Sequence, residues 1–233
     1  MILQLNKPVG KTPLDMIKEY KAKHPDQKDV PMTYAGRLDP MAEGLLLVLT
    51  GDDVHRKDEF LGLDKTYEAQ ILLGASTDTG DILGLVQKTK KVSKPSDFDS
   101  LFLVGSHHLN LPPYSAYKVD GKPLWQYARD GQAVPLIKKE MIVHSADFIG
   151  GDYISKKEII ERINKVEGDF RQDNIISSWS ALAEDNFFVL NLSFNVSAGT
   201  YIRCLATLVG DHLDMPTTLF SLFRTKVGKF HLK

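Results

Sequence analysis

Asp39 is the residue best placed to do chemistry. It lies in Gly36-Arg37-Leu38-Asp39-Pro40, directly before Met41-Ala42-Glu43-Gly44 and the apolar run 45–49. Pro40 fixes its own φ, lacks an N–H and pushes Asp39 toward extended backbone. A short Leu-rich run between Gly44 and Gly51 reads as a buried strand. Asp39 is therefore expected at the rim of a sheet, on a stiff loop, which is a suitable seat for a nucleophile. The pentapeptide alone favours an ordinary Asx-turn before a strand. The rest of the chain reverses that preference.

Two further segments pair aromatics with cations. Lys65-Thr66-Tyr67 opens an alternating run, so Tyr67 faces one side and Thr66 and Glu68 the other. Locally, Tyr67 reads as a core aromatic. In Gly199-Thr200-Tyr201-Ile202-Arg203, Gly199 breaks a strand and Arg203 falls in the first turn of a helix. The helix dipole favours anions there, so a cation at that end points to a specific carboxylate partner, the alternative being an ordinary surface arginine. Other chemistries lack their residues. The seven histidines show no ligand spacing, and His107-His108 reads as surface polar in a loop. Asp78 and Asp81 lack the third ordered carboxylate of a hard-cation loop. Gly10-Lys11 lacks the glycine spacing of a phosphate loop, and no serine-hydrolase motif is present.

The elements that must position these residues read as follows. Strands are expected at 2–5, 45–50, 67–73 and 187–196, with 135–149 a strand pair or one long bent strand and 218–230 two short strands. Thr12 caps a helix to about Lys23 with Pro13 at its first position. Further helices are expected at 53–61, 96–103, 124–130 and 201–213. Another at 156–166 carries Ile159, Ile160, Ile163 and Val166 on one face. Residues 24–33 and 74–81 read as loops. Strands and helices mix without βαβ alternation. The fold class is α+β, a mixed, mainly antiparallel sheet flanked by helices and loops.

Bulk properties narrow the setting. The chain has 233 residues, 42% hydrophobic and 25% charged, as in ordinary globular proteins. Its formal net charge of -1 gives no global pull toward nucleic acid, although the stretch 224–233 is basic. The single cysteine, Cys204, fits a reducing cytoplasm. The N-terminus lacks the features of a signal peptide, and no apolar run approaches the roughly 20 residues of a membrane helix.

Four blocks, taken together and in order, make the sequence similar to the TruB family of RNA pseudouridine synthases. They are Gly36-Arg37-Leu38-Asp39-Pro40 with Gly44-Leu45-Leu46; Leu73-Gly74 with Thr77-Asp78-Thr79-Gly80-Asp81; Pro112-Pro113-Tyr114-Ser115-Ala116 with Lys118 and Gly121; and Gly199-Thr200-Tyr201-Ile202-Arg203. Lys7-Pro8-Val9-Gly10-Lys11-Thr12 resembles the family's opening. The Arg-Leu-Asp triplet is also similar to other pseudouridine synthase families, and TruB members more often carry Thr or Ala where Arg37 stands. The resemblance covers almost the whole chain. It implies a single catalytic domain over 1–233 with the pseudouridine synthase fold. The implied reaction isomerises a specific uridine, uridine 55 of the tRNA T-loop by default. It implies Asp39 as the catalytic aspartate, nucleophile or base. Tyr67 would stack on the flipped base and take part in proton transfer, and Arg203 would keep Asp39 ionised. Lys65, Lys118 and Arg129 would meet phosphate, and Tyr34, Arg37 and Tyr201 complete the RNA-binding set. The expected partner is the T-arm stem-loop of tRNA, met by a cytoplasmic monomer without cofactor, metal or membrane.

The sequence departs from the family in two places. The family has a histidine five positions before the aspartate; Tyr34 stands there, which keeps stacking and weakens the expectation for substrate recognition. The family also commonly carries a C-terminal PUA domain, and none is expected here. RNA binding would then be weaker and more salt-sensitive, with residues 150–185 as a possible substitute surface. Three other readings remain: a synthase for another structured uridine, a tRNA-binding chaperone, or a hydrolase that uses Asp39.

Overall fold

The computed structural model describes residues 1–92, 94–95, 97–166 and 171–232. Strand β1 (Ile2–Lys7) leads to helix α1 (Pro13–Lys23). That helix opens on a capping box, in which Thr12 accepts from the Asp15 N–H and the Asp15 side chain accepts from Thr12. Strands β2 (Met32–Ala35) and β3 (Glu43–Thr50) pair antiparallel, and their connection carries Asp39. After α2 (Lys57–Leu61) come β4 (Lys65–Leu73) and a small hairpin of β5 (Ala75–Thr77) and β6 (Val86–Thr89). Next are β7 (Gly105–Asn110), the short pair β8 (Lys118–Val119) and β9 (Lys122–Pro123), and α3 (Leu124–Arg129). The long β10 (Lys138–Ser155) runs into α4 (Lys156–Asn164) through a second capping box of Ser155 and Glu158. Helix α5 (Gln172–Ser180), β11 (Asn186–Val196), α6 (Ile202–Leu213), β12 (Thr217–Val227) and β13 (Phe230–His231) complete the order.

One sheet dominates, in the order β1-β3-β12-β4-β11-β10-β7. Every strand pair in it is antiparallel except β12 with β3, which touch in parallel at Glu43 and Gly44. β3 shares one edge between two partners: β12 pairs at 43–44 and β2 at 47–50. The Asp39 loop emerges where those two partners diverge.

Alternation in the central strands separates two cores. In β4 and β11 the facing pairs Tyr67 with Phe194, Ala69 with Leu192 and Ile71 with Leu190 line one face. There they meet Ile202, Leu205, Ala206 and Val209 of α6. Leu72, Val189 and Phe220 point to the other face, under Ile159 and Ile163 of α4 and Ile175 and Trp179 of α5. The sheet thus carries helices on both faces, and burying those apolar stripes is the main source of its stability.

The α+β class holds, with a mainly antiparallel sheet. Several details differ from expectation. The 218–230 region is one long strand plus β13, because bulges at Leu219/Ser221 and Arg224/Lys226 interrupt its alternation. The 135–149 region takes the second of its two expected forms, one long bulged strand, which runs on to Ser155. His107 and His108 sit in β7 rather than in a loop. The 53–61 region is a 3-10 turn followed by short α2, and the 96–103 expectation reduces to a 3-10 turn at Ser100–Leu103, with Ser96 outside the described residues.

Candidate active site

The loop that carries Asp39 is gripped at its backbone. Arg224, on β12, is 1% exposed and donates from Nη2 to Gly36 O (3.0 Å) and from Nε to Leu45 O (2.7 Å), bridging the two ends of the loop. Lys7, fully buried at the end of β1, donates to Ala42 O at 2.5 Å. Gly10 N–H donates to Pro40 O, and Ala42 N–H closes back on Asp39 O. Gly44 makes the close approach possible: a Cβ there would stand 2.5 Å from Arg224 O, and its φ of +104° is open only to glycine. Burial pushes Lys7 down to about 8, while the Asp39 and Glu43 carboxylates pull the other way.

Arg203 fixes the carboxylate itself. Its Nη2 lies 3.0 Å from Asp39 Oδ2 and donates to Tyr114 O (3.0 Å). Its Nη1 donates to Thr79 O (2.8 Å) and lies 3.5 Å from Asp81 Oδ2. One guanidinium therefore joins an accessible carboxylate, a buried one and two backbone carbonyls, which leaves it a single orientation. Burial opposes the charge on Arg203, but Asp39 and Asp81 outweigh it and raise its pKa. Burial pushes Asp81 up; Arg203 and the Thr79 hydroxyl, which donates to Asp81 Oδ1 at 2.8 Å, counter it.

Two cavities meet at Asp39. The first, about 460 Å³, is walled by Tyr67, Tyr201, Lys65, Lys139, Ile202 and Leu222. The second, about 500 Å³, is walled by Tyr114, Trp125, Arg129, Arg171 and Asp81. Arg37, Asp39, Ala116 and Arg203 line both. A carboxylate held by an arginine, with an aromatic floor beside it, can attack or deprotonate a planar ring seated in the first cavity. Cys204 next door is no rival nucleophile: burial pushes its thiol up to about 12, and it donates to Asn110 O. Among the described residues no cluster of three or more His, Cys, Asp or Glu can hold a metal ion.

Residues 27–168 match the TruB family pseudouridylate synthase, N terminal domain. The chain belongs to that family. It is 31% identical over 237 residues to the tRNA pseudouridine synthase B of Cupriavidus metallidurans, covering 100% of this chain and 64% of that protein. Against the protein of the same name from Aromatoleum aromaticum the figures are 33% identity, 85% and 54%. Against that of Caldicellulosiruptor saccharolyticus they are 32%, 100% and 69%. The chain thus spans about half to two thirds of the length of these relatives. In the crystal structure of a Cbf5-Nop10-Gar1 complex, a chain superposes at TM-score 0.61 with 18% identity, covering 100% of this chain and 50% of that one.

Within this TruB chain the expected site residues separate by place. Asp39, Tyr67, Arg203, Tyr201, Arg37 and Lys65 gather at the first cavity, and Arg129 stands at the second. Tyr67 is 7% exposed, so it belongs to the core and to the cavity floor at once. The Lys65 ammonium is turned inward: it donates to Leu61 O and Leu63 O, and burial pushes it down to about 8. Tyr34 and Lys118 line neither cavity. Tyr34 packs beside β3, with the Lys57 ammonium 5.5 Å from its ring centroid, and Lys118 is exposed on β8. Sequence reasoning assigned no role to Lys7, Lys139, Arg171 or Arg224, and Asp81 was weighed only as a cation ligand. Of these, Asp81 and Lys7 carried a signal, since each stands in a stretch quoted for the family resemblance.

Proposed function

We propose that this chain isomerises a uridine of tRNA to pseudouridine, with Asp39 as the catalytic carboxylate. The observation that carries the reading is the Asp39–Arg203–Asp81 array at the mouth of a cavity floored by Tyr67, in a chain whose relatives are named tRNA pseudouridine synthase B. The target uridine is flipped out of its stack into the first cavity, with the base over Tyr67. Asp39 acts at the sugar–base junction while the C1′–N1 bond breaks. The base turns, and C5 replaces N1 on C1′. The C5 proton leaves to solvent and N1 takes up a proton, so the rearrangement is a redox-neutral isomerisation and draws no atom from a cofactor. The default target is uridine 55 in the T-loop, with the T-arm as partner, in the cytoplasm.

A second reading has one observation behind it. Tyr34 stands outside both cavities with one ring face taken by Lys57, so the position that the family uses to meet its RNA loop is differently furnished here. That favours another structured uridine. Both readings are tested by tritium release from RNA labelled at uridine C5, followed by mapping of the modified position. Wild type is expected to release tritium and modify the T-loop, while Asp39→Asn binds RNA and releases none. Release mapped elsewhere moves the substrate. Free base in solution would identify a hydrolase. No release, with RNA bound equally by both forms, would leave the chaperone reading.

A further inference from the structure

We infer that Arg162, on α4, is a positioning residue that holds the Asp39 loop from behind. Its kinetic consequence rests on the isomerase reading above; its structural consequence does not. Arg162 lines neither cavity. Its Nη2 instead lies 2.7 Å from Glu43 Oε1 and donates to Met41 O at 3.3 Å, so it holds the backbone two residues after Asp39 and the side chain two residues further on. The guanidinium carbon stands 5.5 Å from the centroid of the Phe220 ring. The side chain is 15% exposed, and Nε is buried without a hydrogen-bond partner among the described residues. Leaving a buried donor unpaired is costly. An arginine kept there despite that cost is explained by what its other nitrogen holds.

The helix makes a second contact with the same loop. A Cβ on Gly10 would collide with Lys165 O at the end of α4, so the Gly10 turn is seated on that end. Gly10 N–H in turn donates to Pro40 O. Pro40 and Met41, the two residues after Asp39, are thus both referred to α4. The helix is itself fixed by its capping box and by Ile159 and Ile163, which are buried in the core under the sheet. Arg203 sets the direction of the carboxylate, and α4 sets the height of the backbone that carries it. Since misplacing a reacting group by about 1 Å costs on the order of 100-fold in rate, a loop released from α4 is expected to lose turnover before it loses binding.

The test uses the full chain and the variants Arg162→Met, Arg162→Lys and Glu43→Gln. Two readouts are taken on each: kcat and KM for tritium release, and hydrogen exchange of the peptide containing Ala42 N–H, which is bonded to Asp39 O. Arg162→Met is expected to lower kcat roughly 10- to 100-fold with KM within about twofold, and to speed local exchange. Arg162→Lys keeps the charge for Glu43 without the fork and recovers part of kcat. Glu43→Gln shifts both readouts the same way. If Arg162→Met raises KM and leaves kcat unchanged, Arg162 touches RNA and the inference fails. It also fails if both readouts match wild type. Should Arg162→Met not fold, unchanged kcat and exchange in a folded Glu43→Gln overturn it. If wild type itself releases no tritium, the isomerase reading fails, and local exchange alone decides the role of Arg162.

Discussion

At the scale of single residues, the site is a collection of cations that hold oxygen atoms. Lys7, Lys65, Arg162, Arg203 and Arg224 all donate to backbone carbonyls, and only two of them also pair with a carboxylate of the site loop. This explains which residues could be recognised from the sequence. Asp39 and Arg203 stand in recognisable blocks, and Tyr67 follows Lys65 at the head of an alternating run. A lysine bonded to a carbonyl of a loop distant in sequence, as Lys7 is to Ala42 O, has no spacing that announces it. Lys65, two residues before Tyr67, was expected to reach phosphate; its buried ammonium donates to Leu61 O and Leu63 O. Its depressed pKa has a testable sign. Below about pH 8 both folded and unfolded chains carry the charge, and the folded chain bears its burial. Between about 8 and the ordinary lysine value of 10.5 the unfolded chain binds the extra proton, so this group's contribution to stability rises with pH. Urea melts at pH 7.5 and 9.5 are expected to show wild type gaining on Lys65→Met across that interval.

At the scale of elements, what could be read depended on local signals. α1 was legible from Thr12 and Pro13 at its start and α4 from the apolar face of Ile159, Ile160, Ile163 and Val166, and the structure adds a capping box to each start, Thr12 with Asp15 and Ser155 with Glu158. α5 was missed. Its N-cap, Arg171, sits in the left-handed region with no side-chain cap, and its Ser-rich sequence has weak helix propensity. What holds α5 is Trp179, fully buried, whose Nε1 donates to Ile82 O at 3.2 Å. Trp179→Ala is accordingly expected to cost about 3–5 kcal/mol in urea denaturation. β7 was missed for the opposite reason: Ser106, His107 and His108 give an edge strand no apolar face to show. β12 was read as two pieces because a buried arginine and two bulges break its period.

At the scale of the whole molecule, a formal net charge of -1 means that attraction to RNA must be local. Lys139 is the cation to examine. It lines the first cavity, and its ammonium occupies the space that a Cβ on Gly199 would need. If it meets a phosphate beside the flipped uridine, Lys139→Met is expected to weaken RNA binding uniformly across sequences. The slope of log affinity against log salt should then fall by about one. An unchanged slope would remove Lys139 from the interface.

The place of β12 has a consequence for how the protein comes into being. This late strand lies between β3 and β4, so it is the piece that joins the N-terminal strands to the rest of the sheet. Until residues 217–227 have emerged from the ribosome, β3 and β4 have no common neighbour and each offers an open edge. The Asp39 loop, made early, also waits for Arg224 before its two ends are tied. A nascent chain lacking this stretch holds most of the candidate site residues and no assembled site. Synthesis order thus delays assembly of the site until nearly the whole of this sequence has been translated, and such long-range closure is expected to make folding slow.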